Sequence, residues 1–253
     1  MSGLLARVVD VIEGQPEPPL RVDGRVEAVV GQTLQIGGLT TRIGSIVRIE
    51  RHGEGPALAE VVGFREGASI AMPLTQAEGV ARGACAVLLP DVSRPPEPSQ
   101  CLGRILDGTG RPLDGRPQPL RVRLGANATR RESPLARARI DRPLDVGIRA
   151  INALHTIGRG SRMGVFAGSG VGKSTLLGQI ARFTEADAIV VALVGERQRE
   201  VREFVERELD GALDRSSVFV ATSDEPAVLR RRAALLASDV AGALAREGRN
   251  VLF

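Results

Sequence analysis

The sequence predicts two folded parts, a small all-β barrel or sandwich followed by an α/β domain. Short β-branched runs broken by glycine fill residues 21–90, which is typical of closely spaced strands. From residue 147 onward, apolar runs of strand length alternate with helix-like runs. A proline-rich stretch separates the two regions, and 253 residues are enough for each part to have its own core.

The charge balance is close to neutral, although the pI is about 10.2. The chain carries 34 basic and 30 acidic residues and no tyrosine, so a net charge of +4 is enough to raise the pI that far. Basic and acidic residues are interleaved, the basic run 230–232 is short, and six Phe residues offer little for base stacking. We therefore expect no nucleic-acid partner, and a ring-shaped nucleic-acid translocase stays an alternative only.

No targeting or membrane signal is visible in the sequence. No apolar run approaches the ~18 residues that cross a bilayer, and residues 1–13 lack the charged start and apolar block of a signal peptide. We expect a soluble cytoplasmic protein that is peripheral to a membrane at most. Cys85 and Cys101 fit neither a metal knuckle nor a redox pair and are interpreted as small apolar core residues.

The first half of the chain divides into a tail, a barrel and a connector. Residues 1–20 form the tail, in which residues 4–12 can wind into a short amphipathic helix that either caps its own domain or docks a partner. Residues 21–90 form the β domain, with strands predicted at 26–30, 33–36, 45–49, 59–64, 68–71 and 85–89. Residues 91–146 are predicted as an extended connector with tight turns at Asp107 and Asp114, each followed by glycine.

The second half, residues 147–253, is predicted as a nucleotide-binding α/β domain that is incomplete at its carboxyl end. Strands are expected at 162–166, 188–194, 217–221 and from 250 onward, and helices at 148–154, 173–184, 200–209 and 226–246. Leu176, Leu177 and Ile180 are expected to face inward from the second of these helices. The strand at 188–194 is continuously apolar, as in a parallel sheet covered on both faces.

The single lysine of the chain, Lys173, lies in a glycine-rich loop between the predicted strand 162–166 and the following helix. An ammonium group is compact enough to sit between two phosphates, whereas a planar guanidinium is wider. Glycines allow successive backbone N–H groups to converge on phosphate oxygens, and the helix start adds its positive dipole end. The predicted phosphate-binding residues are Gly168, Ser169, Gly170, Val171, Gly172, Lys173, Ser174 and Thr175.

Each polar side chain of this loop has a predicted role. We expect Lys173 to reach the β- and γ-phosphates of ATP, Ser174 to hold Mg²⁺ through its hydroxyl, and Thr175 to contact the region of the α-phosphate. The motif begins with Ala167 in place of the usual glycine, which slightly restricts the turn.

Two charged residues follow the predicted strand 188–194, and we interpret them as catalytic together with Lys173. Loops at the carboxyl ends of neighbouring parallel strands face one crevice. Glu196 is therefore expected to point at the γ-phosphate and orient an attacking water, while Arg197 stabilises charge on the transferring group. The alternative is a surface ion-pair network with Arg199 and Glu200.

Three segments together, 143–152, 164–175 and 195–201, resemble the flagellar and type III protein-export ATPases, which are similar to the catalytic subunits of rotary ATP synthases. The resemblance covers nearly the whole chain. It implies a RecA-like P-loop NTPase domain, truncated in this chain, and a homohexameric ring that binds ATP between subunits. It further implies hydrolysis that assists the export of proteins through an export apparatus, and a stator-like regulator at the amino-terminal tail.

The chain departs from the family in several places. Gln198 stands where the family usually has glycine, and His155 lies in an otherwise apolar stretch. The expected strand from residue 250 looks like the one that ends in a metal-associated aspartate in P-loop enzymes, without that aspartate. We therefore expect this chain to bind phosphate weakly at best and not to turn over ATP. Alternatives are a virulence-type secretion ATPase and a non-catalytic nucleotide-binding or assembly module.

Overall fold

A computed structural model describes residues 23–53, 55–90, 92, 94–122, 135, 139–168 and 170–253. Its amino-terminal part is a closed six-stranded barrel in which strands pair antiparallel in the order β1-β2-β5-β4-β3-β6. The strands are β1 (Asp23–Val30), β2 (Thr33–Gly37), β3 (Ile46–Ile49), β4 (Ala57–Arg65), β5 (Ala68–Pro73) and β6 (Cys85–Leu88). The predicted all-β barrel is confirmed. The predicted tail helix at 4–12 lies outside the described residues.

The barrel closes because one face of each strand is apolar. Alternate residues such as Leu34 and Ile36 of β2 and Val47 and Ile49 of β3 point inward and are at most 1% exposed. Register shifts in β1 and β4 mark bulges, which let these strands bend around the core.

The carboxyl-terminal part is an α/β unit built on a four-stranded parallel sheet with the order β12-β10-β11-β7. The strands and helices from here on are β7 (Arg104–Asp107), β8 (Pro143–Leu144), α1 (Arg149–Leu154), β9 (Ile157–Gly158), α2 (Lys173–Phe183), β10 (Ala188–Val194), α3 (Gln198–Glu203), β11 (Ser216–Ala221), α4 (Ala227–Arg246) and β12 (Val251–Leu252). Strands β8 and β9 form a separate two-stranded pair. Helix α4 packs on one face of the large sheet, and α2 with the segment after α3 packs on the other.

Strand β7 is absent from the sequence-based prediction, in which residues 91–146 form an extended connector. It pairs in parallel with β11, so that Leu106 lies opposite Phe219 and both are fully buried. The predicted turn at Asp107 is present, because its carboxylate accepts hydrogen bonds from Thr109 and Arg111 in an Asx turn. Cys101 is also buried here, and burial raises the pKa of its thiol to about 12, which makes it an unreactive core residue.

The prediction of a strand at residues 162–166 is wrong. These residues have no regular secondary structure, and Met163 and Phe166 are 48% and 96% exposed. A strand needs a neighbour to share its backbone hydrogen bonds, and within the described residues none pairs with this segment. The local apolar pattern is there, but the pairing that turns such a pattern into a strand is not.

Two predictions for the helices also need correction. The helix expected at 200–209 is α3 followed by a π-helical segment, Phe204–Glu208. Ile180 of α2 is buried as expected, but Leu177 is 40% exposed. The physical reason is that α2 meets the π-helical segment through Gly178, whose Cα approaches Glu208 so closely that a Cβ would lie 2.5 Å from the Cβ of Glu208. Leu177 lies beside this contact, not in it.

Asp114 is expected to make the free energy of unfolding depend on pH in the acidic range. The side chain of Arg104, donating to it at 2.7 and 3.1 Å, is the main cause that lowers the pKa of the Asp114 carboxyl to about 2, and both side chains are about nine-tenths buried. A lowered folded-state pKa gives stability that is present above the ordinary aspartate value and is lost as the pH falls from about 4 to about 2. Urea unfolding should show a loss of about 2 kcal/mol across this window.

The Asp114→Asn variant is expected to lack this part of the acid sensitivity, because it has no carboxylate to protonate. Asp141→Asn, at an exposed position, serves as the matched control and should keep the wild-type pH profile. An unchanged profile for Asp114→Asn would contradict the assignment.

No helix in the described part of the chain combines the length and the apolar character that a membrane crossing needs.

Candidate functional site

The glycine-rich loop folds back on itself immediately before α2. Gly170 and Gly172 have φ angles of +77° and +96°, in the left-handed region where residues with a Cβ are strained. Nothing lies within 4 Å of the position of a Cβ on either residue, so the requirement for glycine here comes from the backbone angle and not from lack of space. Gly172 is the N-cap of α2, and Ser169 lies outside the described residues.

Lys173 and Glu196, which come from different motifs, lie side by side. The Lys173 Nζ is 3.9 Å from Glu196 Oε1, and the two side chains are 42% and 38% exposed. An ion pair that is this open to solvent is worth about 0–1 kcal/mol, so an anionic ligand can displace the carboxylate from the lysine at little cost. The Lys173 ammonium and the Glu196 carboxylate therefore lie together next to the glycine loop.

The loop that carries Glu196 is tied to the end of β11. The N–H of Gly195 donates to the carbonyl of Ala221 at 2.7 Å, and the N–H of Ser223 donates to the carbonyl of Glu196 at 3.0 Å. These two backbone bonds hold Glu196 at the carboxyl edge of the parallel sheet, where the order of motifs predicts it. Arg197 follows as the N-cap of α3 with an exposed side chain.

Gln198 makes a contact for which the sequence offers no prediction. Its Nε2 donates to Asp224 Oδ2 at 3.1 Å, which adds a side-chain link between the Glu196 loop and the turn after β11. The Thr222 hydroxyl and, to a smaller extent, Gln198 lower the pKa of the Asp224 carboxyl by hydrogen bonding. Burial raises the pKa of the neighbouring Glu225 carboxyl, which accepts the backbone N–H of Thr222 at 2.6 Å. The turn thus combines one carboxyl that ionises easily with one that does not.

Two residues that hold the loop helix in place were not identified from the sequence. The first, Glu208, accepts a hydrogen bond from the Thr175 hydroxyl at 3.0 Å, and it also lies against Gly178. The Thr175 hydroxyl thus bonds to protein in this structure, and its expected contact with the α-phosphate stays a prediction. The sequence does not indicate this role for Glu208, because the charged run around it has the pattern of an ordinary exposed helix.

The second, Arg215, closes the far end of α2. Its guanidinium donates to the carbonyls of four residues at the end of α2 and just beyond it, Ala181, Arg182, Thr184 and Ala186, at 2.6–3.1 Å. The last carbonyls of a helix lack partners within the helix, and a cation near them also interacts favourably with the helix dipole. Arg215 directly precedes β11, so it anchors the helix of the glycine loop to the sheet.

Replacing Arg215 with methionine is expected to lower the free energy of unfolding by about 2 kcal/mol, because the helix loses a charged donor that keeps several carbonyls paired. Urea unfolding measures the change. Arg207→Met is the control, since the Arg207–Glu203 pair is largely exposed and should contribute less than about 0.5 kcal/mol. Equal losses in the two variants would show that Arg215 is not an anchor.

The residues of the site fit a triphosphate and a hard cation. The loop backbone is curled and open, and the Lys173 ammonium is partly accessible. Oxygen ligands of the kind that Mg²⁺ prefers are the hydroxyl of exposed Ser174 and the carboxylate of partly exposed Glu196. Among the described residues, no cluster of three or more metal-ligating side chains occurs.

Comparison with known proteins supports this interpretation. Residues 147–253 match the ATP synthase alpha/beta family, nucleotide-binding domain. The flagellum-specific ATP synthases of Pseudomonas aeruginosa and Salmonella typhimurium are each 44% identical to the chain, over 94% and 93% of its length. The type 3 secretion system ATPase of Xanthomonas euvesicatoria is 39% identical over 90% of it. The chain covers 53%, 54% and 52% of these relatives, about half of their length.

Solved structures give the same result for the fold. The assembled ATPase EscN from the type III secretion system of enteropathogenic E. coli matches with a TM-score of 0.77 at 36% identity, covering 90% of this chain and 55% of EscN. EscN in complex with its central stalk EscO matches with a TM-score of 0.78. This chain and EscN thus share the arrangement of a barrel followed by a nucleotide-binding α/β domain. Over most of its length the chain is similar to the flagellum-specific ATP synthases and the type 3 secretion system ATPases, and it spans about half the length of these relatives.

Proposed function

We propose that this chain supplies the barrel and the nucleotide-binding part of an ATPase that powers protein export. The observation that carries the proposal is the 3.9 Å approach of Lys173 to Glu196, which puts a phosphate-binding cation and a carboxylate at one glycine loop. Likeness to flagellum-specific relatives favours flagellar export, with virulence-type secretion as the alternative. The chain supplies the glycine loop, Lys173 and Glu196 for such a reaction, and we expect that it does not turn over ATP by itself.

In the proposed mechanism the glycine loop binds the phosphate tail of ATP, and Lys173 leaves Glu196 to contact the β- and γ-phosphates. The freed carboxylate of Glu196 orients a water molecule for in-line attack on the γ-phosphorus and accepts its proton as the P–O bond to ADP breaks. Arg197, which is exposed beside Glu196, stabilises the charge on the transferring phosphoryl group. The Ser174 hydroxyl would hold Mg²⁺, and the ion would supply neutralisation of charge on the phosphate oxygens.

The partners proposed are those of an export ATPase. EscN has been solved as an assembled ATPase and in complex with its central stalk EscO. By that likeness we propose a homohexameric ring with a stalk, on the cytoplasmic side of an export apparatus whose substrates are exported proteins. A stator-like regulator at residues 1–20 stays a prediction. Pairing of Arg231 and Arg232 with a buried glutamate supports the view that the 230–232 run does not bind nucleic acid.

A direct test is nucleotide binding by the 253-residue chain, measured by calorimetry with ATP and with AMP, each with and without Mg²⁺. We expect a preference for ATP of about tenfold or more, because only the triphosphate reaches Lys173. Equal affinity for ATP and AMP would contradict the proposal. Phosphate release by a chain that spans the full length of the relatives then separates an ATPase from a non-catalytic nucleotide-binding module.

A further inference from the structure

One acidic side chain of the barrel is buried at the contact with the nucleotide-binding part. Glu60 of β4 is 2% exposed, and its two carboxylate oxygens accept hydrogen bonds from Arg231 at 2.8 Å and Arg232 at 3.1 Å. Burial of a carboxylate without partners costs several kcal/mol, so these two arginines are what make its position tolerable. Arg232 is itself only 16% exposed, and its Nε has no hydrogen-bond partner among the described residues, so Glu60 is its main anionic contact.

Apolar packing surrounds this ion pair and makes the contact a defined interface. Ile46, Leu58 and Leu74 of the barrel form one buried cluster with Val228 and Leu229 at the start of α4. Both arginines lie in the first two turns of the same helix, about 8 Å along the axis from its start. The barrel therefore packs against the amino-terminal end of α4.

That end of α4 is the end connected to the candidate site. The helix begins at Ala227, directly after the turn 222–226, whose Ser223 donates its N–H to the carbonyl of Glu196 at 3.0 Å. Gly195 is bonded to Ala221 on the other side of Glu196. A shift of the first turn of α4 is thus transmitted to the backbone of Glu196 through the turn and its hydrogen bonds.

We propose that Glu60 is a positioning residue for Glu196 and that it acts through Arg231, Arg232 and the first turns of α4. The proposal rests on the proposed function only in giving Glu196 its catalytic role. Through this connection, the orientation of the barrel influences where the Glu196 carboxylate lies. Arg231 and Arg232 then have a structural role inside the molecule.

The test is amide hydrogen exchange, followed by NMR on the 253-residue chain without nucleotide. In Glu60→Gln, the amide of Ser223 is expected to exchange about tenfold faster, because the turn that holds Glu196 opens more often. Amides in the centre of β10 should stay within about twofold of wild type. Glu247→Gln is the matched control, since it makes the same charge change at the opposite end of α4, where Glu247 pairs with exposed Arg249.

Unchanged exchange at Ser223 in Glu60→Gln, with faster exchange confined to the barrel, would overturn the proposal, as would an equal effect of Glu247→Gln. If Glu60→Gln does not fold, Arg231→Gln tests the same connection. This variant should fold, because Arg231 is 59% exposed and Arg232 still pairs with Glu60. An increase of about threefold at Ser223 is then expected. Exchange is measured without ATP, so its outcome is independent of whether the chain binds nucleotide.

Discussion

Replacing Lys173 with alanine is expected to weaken ATP binding by the 253-residue chain about 10- to 100-fold. The ammonium is the only lysine charge in the chain, and it lies at the start of α2 facing the glycine loop. Loss of a charge-assisted hydrogen bond to phosphate costs about 1.5–3 kcal/mol, which corresponds to this range of affinity. Calorimetric titration with Mg-ATP measures the effect.

Lys173→Arg is the informative companion variant, because it keeps the charge and changes only its shape. A guanidinium is wider than an ammonium and is therefore less able to sit between two phosphate groups. We expect Lys173→Arg to bind ATP nearly as weakly as Lys173→Ala. Both variants should unfold close to the wild-type temperature, since the Lys173–Glu196 pair is partly exposed and its 3.9 Å separation is long for an ion pair. Wild-type affinity in Lys173→Ala would remove the basis for a phosphate site here.

Replacing Glu196 with glutamine is expected to separate binding from hydrolysis. In a protein that spans the full length of the relatives, ATP turnover should fall about 10²- to 10⁴-fold, because an amide cannot accept the proton of the attacking water. Binding of ATP should be retained or become a few-fold tighter, since Lys173 loses a competing anion 3.9 Å away and the γ-phosphate loses a like charge. Phosphate release and calorimetry measure the two effects.

Glu200→Gln is the control for this experiment, because Glu200 is an exposed carboxylate at the start of α3 close to Glu196 in the chain. We expect its turnover and ATP affinity to match wild type. Equal loss of turnover in the two variants would instead support the alternative in which Glu196 belongs to a surface ion-pair network. Tighter binding with normal turnover in Glu196→Gln would assign the role of base to another residue.

The sequence was sufficient wherever a local pattern decides the structure. The barrel follows from short β-branched runs between glycine turns, and β10 is predicted with its observed ends because a continuous apolar strand of a parallel sheet has a distinctive pattern. The turn of the glycine loop and its proximity to Glu196 were likewise expected from a motif whose chemistry requires that spacing. In each case the deciding interactions lie within a few residues or follow from the parallel sheet.

Long-range pairing explains what was missed. Strand β7 has four residues, and its neighbour β11 lies far along the chain, so no local pattern distinguishes it from a turn. The segment 162–166 shows the reverse case, in which an apolar pattern has no neighbouring strand in the part of the chain that the structure describes. Arg215 and Glu60 act by reaching across the fold to helix carbonyls and to arginines of α4. Their roles depend on three-dimensional proximity, which charge and spacing in the sequence do not encode.

The hydrogen bonds of Asp114 restrict how this sheet can be extended. Asp114 Oδ2 accepts the N–H of Ile105 at 3.1 Å, and the N–H of Asp107 donates to the carbonyl of Arg111, so the outward-facing donors of β7 are already satisfied by its own hairpin. A border closed in this way offers no template for edge-to-edge association. Any additional strand, from this polypeptide or from another molecule, must therefore join beside β12, and the sheet can grow in one direction only.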